Sequence, residues 1–527
     1  MCGKKVAIMM FIIIGCWSML ALQGTVSAAE KILRMRVEQD AQSFDPARFT
    51  NHTTSVVLRA IYDNLVDYKV GSWPQLENEL AEKYTVSSDG LVYTFNLKKG
   101  VKWQKGFGEL TAEDVKFSVE RVMDPATKAP MRSILTDVIQ KIETPNNYTI
   151  RFLLKKPDPA FLAKLAPWRT GAIVCKKAVE KYGGDYGQKV EAIIGCGPFE
   201  VIAWTPKQRI TLKRFDQYHG SKPKVDRIEM LIIEDEAIGL LSLQKGELDM
   251  CYIRVPESLT NVRNDPNLVV YKGPSATTKG FVAFNTEHPI LKDIRVRRAM
   301  VHGLDRDLIA ETVGGEMGVK ACGFLEPASY WGALGCDQLP KYPFDREKAK
   351  QLLTEAGYPK GFKIKYVEIN LPSHQELAPV LQSYWKDLGI ETEIELVPVN
   401  DWVDRLNKAS SPVTKFTMGT RPPEPSIFLY SSFHSSSSKP GLNAMLYKGV
   451  DGLLDKAMST TSDAERKDLY GQIQQKVIED CVIIPIFFEA NVMVTRKNVS
   501  LGRGAKGQLL TCPYWHFYWL EDVDLRP

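Results

Sequence analysis

The chain has 527 residues, more than one hydrophobic core usually serves, so we expect two or three domains. Its 68 basic and 63 acidic side chains leave a net charge of +5, and no run of lysine and arginine forms a basic stripe. This charge pattern argues against nucleic acid as a partner.

The first residues have the pattern of a secretory signal. Lys4 and Lys5 precede an apolar run from Val6 to Leu22, and Val26-Ser-Ala28 has small residues where signal peptidases require them. We expect cleavage after Ala28 and export of the mature chain. A retained membrane anchor and a lipid attached to Cys16 are the alternatives. No other segment is apolar enough to span a bilayer.

Of nine cysteines, seven follow the predicted signal, in a compartment that permits disulfides. The absence of a Cys-x-x-Cys motif argues against a structural zinc site and against a thioredoxin-like redox pair. Cys322 and Cys336 close a short loop and are the preferred disulfide. The remaining predictions are further pairs, Cys175 with Cys196 and Cys481 with Cys512, and a buried thiol at Cys251.

In chain order, the first predicted elements are a strand at Ile32–Val37 and a helix near Val56–Leu65. Asp89-Gly90 marks a hairpin, and alternate residues from Leu91 to Leu97 share one face of the strand that follows. Thr111-Ala-Glu-Asp114 has the pattern of a helix start with a capping box. Ile194-Gly-Cys-Gly-Pro-Phe199 is rich in glycine, but no Lys-Ser/Thr follows it, so a close chain crossing explains it better than a phosphate loop.

The stretch Lys279–Ile309 converts one strand into one helix. Phe281, Ala283 and Asn285 alternate with Val282 and Phe284, as in a strand buried on both faces, and Pro289 ends the strand. Asp293 is placed to cap a helix with an apolar face over an outward basic face. The predicted apolar residues are Val296, Ala299, Met300 and Gly303, and the predicted outward residues are Arg295, Arg297 and Arg298.

The third region repeats an α/β pattern. A helix capped by Asp345 precedes a strand at Phe362–Val367, a helix beginning at Ser373 and a strand at Ile390–Leu396, which predicts a parallel, right-handed crossover. The elements that follow are predicted as a surface loop at Ser431–Ser438, a helix pair within Gly449–Asp480, a buried strand at Ile483–Phe488 and an aromatic interdomain core at Tyr514–Trp519.

Catalytic motifs are absent from the sequence. It has no Gly-x-Ser-x-Gly and no His-Glu-x-x-His, its seven histidines are scattered, and its carboxylates are predicted to lie on helix faces. Only His52 and His434 lie near loops that we place at a cleft. We therefore expect no metal, no cofactor and no catalysis; a secreted hydrolase acting on peptides or esters is the alternative class.

Several motifs, in order, resemble those of the family 5 extracellular solute-binding proteins, the oligopeptide- and dipeptide-binding class. They are Ser43-Phe-Asp-Pro46, the block Lys98-Lys-Gly-Val-Lys-Trp103 with Thr111-Ala-Glu-Asp-Val115, the glycine-rich Ile194–Phe199, and Phe284-Asn with Asp293-Ile-Arg-Val-Arg-Arg-Ala299. The resemblance runs from about Leu33 to the end of the chain.

The resemblance implies an α/β, type II periplasmic-binding-protein fold of two lobes with an extra domain. The expected division is a signal at 1–28, domain I at 29–62, 196–277 and 491–527, domain II at 63–195, and domain III at 278–490. The implied function is capture of a small organic solute by a monomer, outside the cytoplasm, for an ABC permease and ATPase complex in the inner membrane. Hinge closure would accompany binding.

The residues that we place around the ligand follow strands or the opening Asp-Pro, because loops carry function on a rigid scaffold. They are Asn51, His52, Thr53, Asn285, Trp402, Met418, Thr420, Arg421 and Pro423. Two of them have an alternative role, since Trp402 can be helix core and Asn285 can cap a turn.

Arg421 carries the sharpest prediction. In the oligopeptide-binding proteins an Asp pairs with the peptide's α-ammonium ahead of a Glu-Pro and Phe-Leu ending, and Glu424-Pro-Ser-Ile-Phe-Leu429 resembles that ending. This places Arg421 where the Asp stands and predicts an anionic ligand, since a guanidinium suits carboxylate or phosphate. The alternatives are an internal pair between Arg421 and Glu424 with a neutral oligosaccharide as ligand, and an ordinary oligopeptide.

Overall fold

A computed structural model describes residues 30–48, 52–69, 75–370, 375–416, 424–438, 443–510 and 520–526, without the side chains of His52, Trp168, Arg169 and residues 275–279. The predicted signal, Ser373 and the aromatic run Tyr514–Trp519 lie outside the described residues. From Lys31 onward the described chain forms one compact unit.

The strands alternate with helices along most of the chain, as the sequence predicts. The described strands are β1 Ile32–Val37, β2 Val66–Tyr68, β3 Leu76–Asn78, β4 Ala81–Val86, β5 Val92–Leu97, β6 Ile139–Asn146, β7 Thr149–Leu154, β8 Phe199–Thr205, β9 Arg209–Arg214, β10 Arg227–Ile232, β11 Met250–Ile253, β12 Leu268–Phe284, β13 Gly318–Lys320, β14 Lys363–Ile369, β15 Glu391–Val397, β16 Val413–Lys415, β17 Ile483–Arg496, β18 Val499–Ser500, β19 Ala505–Lys506, β20 Leu509–Leu510 and β21 Asp524–Leu525.

The helices follow strands or cross between them. Those described are α1 His52–Ile61, α2 Ala112–Met123, α3 Arg132–Thr136, α4 Phe161–Leu165, α5 Trp168–Gly171, α6 Lys176–Tyr182, α7 Glu236–Lys245, α8 Pro256–Val262, α9 Ile294–His302, α10 Arg306–Gly314, α11 Arg346–Glu355, α12 Leu377–Lys386, α13 Val399–Lys408, α14 Ser426–Phe433, α15 Asp451–Ser459 and α16 Asp463–Glu479. Within these residues, no helix is both long and apolar enough to cross a membrane.

One large sheet runs through the described chain in the order β15-β14-β16-β12-β17-β11-β1-β10-β9-β8. Its two ends contain parallel pairs, β14 with β15 and β16 at one end and β1 with β10 and β11 at the other. The predicted parallel pairing of the two strands that flank α12 is therefore confirmed. A separate four-stranded antiparallel sheet has the order β4-β5-β7-β6.

The long antiparallel strands β12 and β17 join the two ends of the large sheet. Leu268–Gly273 pairs with Asn491–Arg496 near β11, whereas Phe281–Ala283 pairs with Ile483–Pro485 near β16, and the register shifts between these two parts. Irregular pairing leaves fewer ladder hydrogen bonds to hold the two parts in one orientation. Only these two strands, among the described elements of the large sheet, run from one end into the other.

The central strand is buried on both faces, as predicted. Phe281 and Ala283 belong to one hydrophobic core, whereas Val282 and Phe284 belong to another on the opposite face. Asp293 caps α9 by accepting a hydrogen bond from the backbone N–H of Arg295. Strand and helix thus form the expected α/β joint.

The glycine-rich stretch is a close chain crossing, as predicted. Gly197 N donates to Ile61 O at 2.7 Å, and Gly195 and Gln104 exchange hydrogen bonds. A Cβ at position 195 would lie 2.0 Å from Ile61 O. Only glycine permits this approach, so the motif serves packing rather than phosphate binding.

Two predictions about exposure are wrong. Arg297 does not face outward: it is 5% exposed and donates to the backbone carbonyls of Asp480 and Leu291. The run Ser431–Ser438 is not a surface loop, because it completes α14 and a 3-10 turn and buries Ser432, Phe433 and His434.

Cys322 and Cys336 form the predicted disulfide. The pairing of Cys175 with Cys196 is wrong, since both carry free buried thiols. Cys481 also carries a free thiol, which contradicts its pairing with Cys512, a residue outside the described ranges. Cys251 is a buried thiol, as predicted.

Candidate functional site

Three parallel strands end at one edge of the large sheet. Because β14 runs parallel to both β15 and β16, their last residues, Ile369, Val397 and Lys415, lie toward the same edge, which we call the carboxyl edge. Helix α13 follows β15 from this edge, and residues 371–374 and 417–423, which follow β14 and β16 in the sequence, lie outside the described residues. Ligands of open α/β sheets bind in crevices outside such strand ends. The carboxyl edge is therefore the candidate site.

A buried ion pair lies beneath the carboxyl edge. The side chains of Lys415 and Glu368 are 1% and 0% exposed, and Lys415 Nζ lies 3.8 Å from Glu368 Oε1. Tyr366 donates its hydroxyl to Glu368 Oε2 at 2.9 Å, and Ile369 N donates to Oε1 at 2.8 Å. Burial raises the pKa of the Glu368 carboxyl. This network fixes the last residue of β16, two positions before residues 417–423.

Sequence reasoning missed this pair, although a signal was present. Glu368 lies at alternate positions of β14 from Ile364 and Tyr366 and so shares a face of the strand with these two buried residues. A charged residue at a buried position of a strand indicates a buried partner, because an isolated charge is too costly there.

Trp402 lies in α13, directly after the carboxyl end of β15. It is 7% exposed, packs against Val367 and Val397, and donates its indole N–H to Thr414 Oγ1 at 3.1 Å. Its ring therefore serves the core beside the edge, as the alternative interpretation holds. Its contact with a ligand stays a prediction.

Asn285 lies away from the carboxyl edge. Because β12 runs antiparallel to β16, Phe284 pairs with Val413, at the amino end of β16. The Asn285 amide donates to Ala409 O at 3.1 Å, and its oxygen accepts from Glu287 N at 3.0 Å. The side chain caps a turn, and its predicted contact with a ligand is not favoured by this arrangement.

Thr53 lies in the first turn of α1, which follows β1. It is 1% exposed, and its Oγ1 has no hydrogen-bond partner among the described residues. The first turn of α1 contains no acidic residue. A helix N-terminus with these properties favours a hydrogen-bond acceptor or an anion. Asn51 and the side chain of His52 lie outside the description.

The predicted loop residues Met418, Thr420, Arg421 and Pro423 also lie outside the described residues, but the chain resumes at Glu424. The Glu424 carboxylate accepts hydrogen bonds from Tyr470 at 2.6 Å and Ser426 N at 3.0 Å and lies 3.3 Å from Arg466. The Arg466 guanidinium in turn lies over the Trp331 ring at 4.8 Å. Glu424 therefore already has a buried cationic partner.

A separate groove lies away from the carboxyl edge. It has a volume of about 590 Å³, and residues from Pro379 to Thr392 line it, including Gly389 and Glu391 at the amino end of β15. It is therefore at the edge opposite to the strand ends. Among the described residues, no group of three His, Cys, Asp or Glu side chains is arranged to hold a metal ion.

The fold and the carboxyl edge define a solute-binding protein of the periplasmic type. The chain belongs to the bacterial extracellular solute-binding proteins, family 5, whose model matches residues 75–440. It is the substrate-binding component of an ABC importer, which captures a small organic solute and delivers it to a membrane permease. Members of this family act in the periplasm or outside the cytoplasm.

The chain is 29% identical to the dipeptide-binding protein of Escherichia coli (strain K12) over 507 residues, 92% of this chain and 94% of the relative. A periplasmic binding protein of Helicobacter pylori in complex with the peptide STSA is 27% identical, with a TM-score of 0.79 and coverage of 94% and 99%. A binding protein of A. tumefacien R10 in complex with mannopinic acid is 26% identical, with a TM-score of 0.78 and coverage of 95% and 100%. All three are binding proteins, which agrees with the expectation that this chain is not an enzyme.

Proposed function

We propose that this chain captures an anionic solute and that Arg421 binds its carboxylate or phosphate. A guanidinium offers a planar fork of donors to such groups and repels an ammonium. Arg421 belongs to the segment that leaves the carboxyl edge after β16. A relative bound to mannopinic acid indicates that this family accommodates acids other than ordinary peptides.

The surroundings of Glu424 support this proposal most directly. Its carboxylate is engaged by Arg466, Tyr470 and Ser426, so the internal pair between Arg421 and Glu424 is not needed to balance the Glu424 charge. Lys415, the other cation of this segment, is opposed by Glu368 beneath the edge. The positive charge of Arg421 is then available to a ligand.

The remaining expectations complete the proposal. The ligand is surrounded by Thr53, Trp402 and the side chains of Asn51, His52, Met418, Thr420 and Pro423. Asn285 is the predicted site residue whose position least favours contact with the ligand. The chain divides into the three domains given above, loses residues 1–28 on export and acts as a monomer. Closure occurs by bending of β12 and β17 where their register shifts.

Calorimetry with three related probes tests the ligand class. N-acetyl-dialanine has a carboxylate and no ammonium, dialanine amide has an ammonium and no carboxylate, and dialanine has both. We expect N-acetyl-dialanine to bind the parent protein and dialanine amide not to bind. Arg421→Asp should weaken binding of N-acetyl-dialanine by at least about tenfold, equivalent to about 1.4 kcal/mol. Arg421→Lys should lose less, because it keeps the charge and lacks the fork.

Three outcomes would favour the alternatives. Tight binding of unmodified di- to pentapeptides that is insensitive to Arg421→Asp would identify an ordinary oligopeptide-binding protein. A neutral oligosaccharide in the mass spectrum of the co-purified ligand would identify a sugar-binding protein. Turnover of peptides or esters without a ligand-induced change in melting temperature would identify a hydrolase.

A further inference from the structure

A cavity of about 120 Å³ lies where four distant parts of the chain meet. Helix α1 and the segment after it form one side, the loop between β9 and β10 forms another, the residue after β5 reaches its rim, and the end of the chain completes it. The residues that line the cavity are Arg59, Asp67, Glu77, Asn78, Glu79, Lys98, Tyr218, His219, Gly220, Ser221, Arg503 and Glu521.

More carboxyl groups than cationic side chains are buried around the cavity. Asp67 and Glu521 are 3% and 8% exposed, and the Glu79 side chain is 11% exposed. Arg59, 6% exposed at its side chain, lies 2.7 Å from Asp67 Oδ2 and 3.4 Å from Glu79 Oε1. One guanidinium is thus shared by two carboxyl groups and also faces Glu521.

A fourth buried carboxyl group, that of Asp63, contacts His219 of the cavity lining. Asp63 is 0% exposed, and its Oδ2 lies 2.6 Å from Nε2 of His219, whose side chain is 10% exposed. Arg59 and His219 are the largely buried groups of this described cluster that can carry a positive charge, and they face four carboxyl groups. At least two carboxylates would therefore have no buried counterion, which is unfavourable.

Several buried polar atoms of this cluster have no hydrogen-bond partner among the described residues. Asp67 Oδ1 and Asp63 Oδ1 make no hydrogen bond with the described residues, and neither does Nδ1 of His219. Asp67 lines the cavity itself. The carboxylate oxygens can only accept hydrogen bonds while they are ionised. A proton bound to one of them would give that carboxyl group an O–H donor.

Other charged and titratable groups face the cluster. Arg503 at the rim has a half-exposed side chain, lies 2.7 Å from Asp522, and also faces Glu521 and Glu77. The remaining groups are Glu77 from β3, Lys98 after β5, the Tyr218 hydroxyl and the Cys196 thiol beside Asp63.

We propose that this cluster is a pH-sensitive clasp, which takes up protons to hold α1, the loop after β9 and the end of the chain together and which loosens when those protons are lost. Asp67, Glu79 and Glu521 are the proton-binding groups. The sequence places them up to several hundred positions apart, so the clasp ties the first described helix to the last described turn.

The direction of the titration follows from burial. Burial raises the pKa of Glu521 to about 7, and it raises the pKa of Glu79 and of Asp67 above their ordinary values. A carboxyl group with a raised folded-state pKa stabilises the fold most below its unfolded value. For Glu521 that contribution falls as the pH rises from the ordinary Glu value of 4.5 toward about 7 and is absent above it.

Thermal unfolding of the full mature chain, at constant ionic strength, tests the clasp. Glu521→Gln keeps the size and loses the titration. We expect the melting temperature of E521Q minus that of the parent to increase by about 2 °C between about pH 5 and pH 7.5. Glu311→Gln is the matched control, because Glu311 is exposed in the middle of α10. Its difference from the parent should stay constant across the same range.

A flat difference for E521Q would overturn the proposal. If E521Q does not fold, Glu79→Gln gives the same readout, since Asn64 N can still donate to the amide oxygen that replaces Glu79 Oε2.

Sodium, potassium, magnesium and calcium chlorides are then compared at equal ionic strength. If one of these cations raises the melting temperature of the parent near pH 8 and leaves E521Q unchanged, the cavity binds a cation in place of protons, and the clasp is refuted.

Discussion

Lys415 Nζ lies 3.8 Å from Glu368 Oε1, and both side chains are buried at the ends of neighbouring parallel strands. The pair joins β14 to β16 at the point where the chain leaves the sheet toward residues 417–423. A buried pair of this kind contributes more to fixing one arrangement than to net stability. It therefore fixes the carboxyl end of β16 relative to β14.

Replacing Lys415 by methionine removes the cation and leaves Glu368 buried. We expect a loss of about 3–5 kcal/mol in the free energy of unfolding, because the remaining carboxylate is uncompensated. The double variant K415M with Glu368→Gln should recover more than half of this loss, since the amide keeps an acceptor for Tyr366 and carries no charge. Urea unfolding followed by circular dichroism measures both. Equal stability of the single and double variants would show that the charge pair is not the cause.

Arg297→Leu removes the donor that satisfies the carbonyls of Asp480 and Leu291, which lie 2.9 Å from Arg297 Nε and 2.6 Å from Nη1. We expect a loss of about 3 kcal/mol, because several buried acceptors lose their partner at once. Arg295→Leu on the same helix is the control. Arg295 is exposed and pairs with Asp293, so its loss should cost less than about 1 kcal/mol. Similar costs for the two variants, measured by urea unfolding, would contradict the buried role of Arg297.

Gly195→Ala places a methyl group 2.0 Å from the carbonyl oxygen of Ile61. The two chain segments must separate, and we expect a loss of about 2–3 kcal/mol or failure to accumulate folded protein. For Gly184→Ala, no atom lies within 4 Å of the added carbon, and the change should be within about 0.5 kcal/mol. The melting temperatures of the two variants are compared with that of the parent protein. A tolerated Gly195→Ala would show that the crossing is looser than the structure indicates.

Local patterns predicted local structure well. The alternation around Phe281, the cap at Asp293 and the hairpin at Asp89-Gly90 depend on neighbouring residues, and the structure has all three. The family resemblance rested on ordered motifs of the same local kind. The fold could therefore be predicted from the sequence.

Burial of charged side chains could not be predicted in the same way. Arg297 has the helical position of a surface residue, and only the carbonyl of Asp480, which lies 183 residues later, explains its burial. Asp63 and His219 are 156 residues apart. Such pairs depend on tertiary contacts, and the sequence shows no local signal for them.

The edge at which a predicted site residue lies could not be read from the sequence for a similar reason. Trp402 and the segment of Arg421 were placed around the ligand because they follow strands, and β15 and β16 end at the same edge. Asn285 was assigned by the same rule, but β12 runs antiparallel to β16, so its end lies at the other edge. Strand direction, which a single sequence does not show, decides which strand ends meet.

Small-angle X-ray scattering tests the central claim, capture of a solute by closure, most directly. The co-purified ligand is identified by mass spectrometry, removed by unfolding and refolding, and added back to the empty protein. Capture by closure predicts a smaller radius of gyration and a higher melting temperature on addition, with both changes absent or much reduced in Arg421→Asp. Saturable binding of that ligand with no change in radius of gyration, in the parent as in the variant, would contradict it.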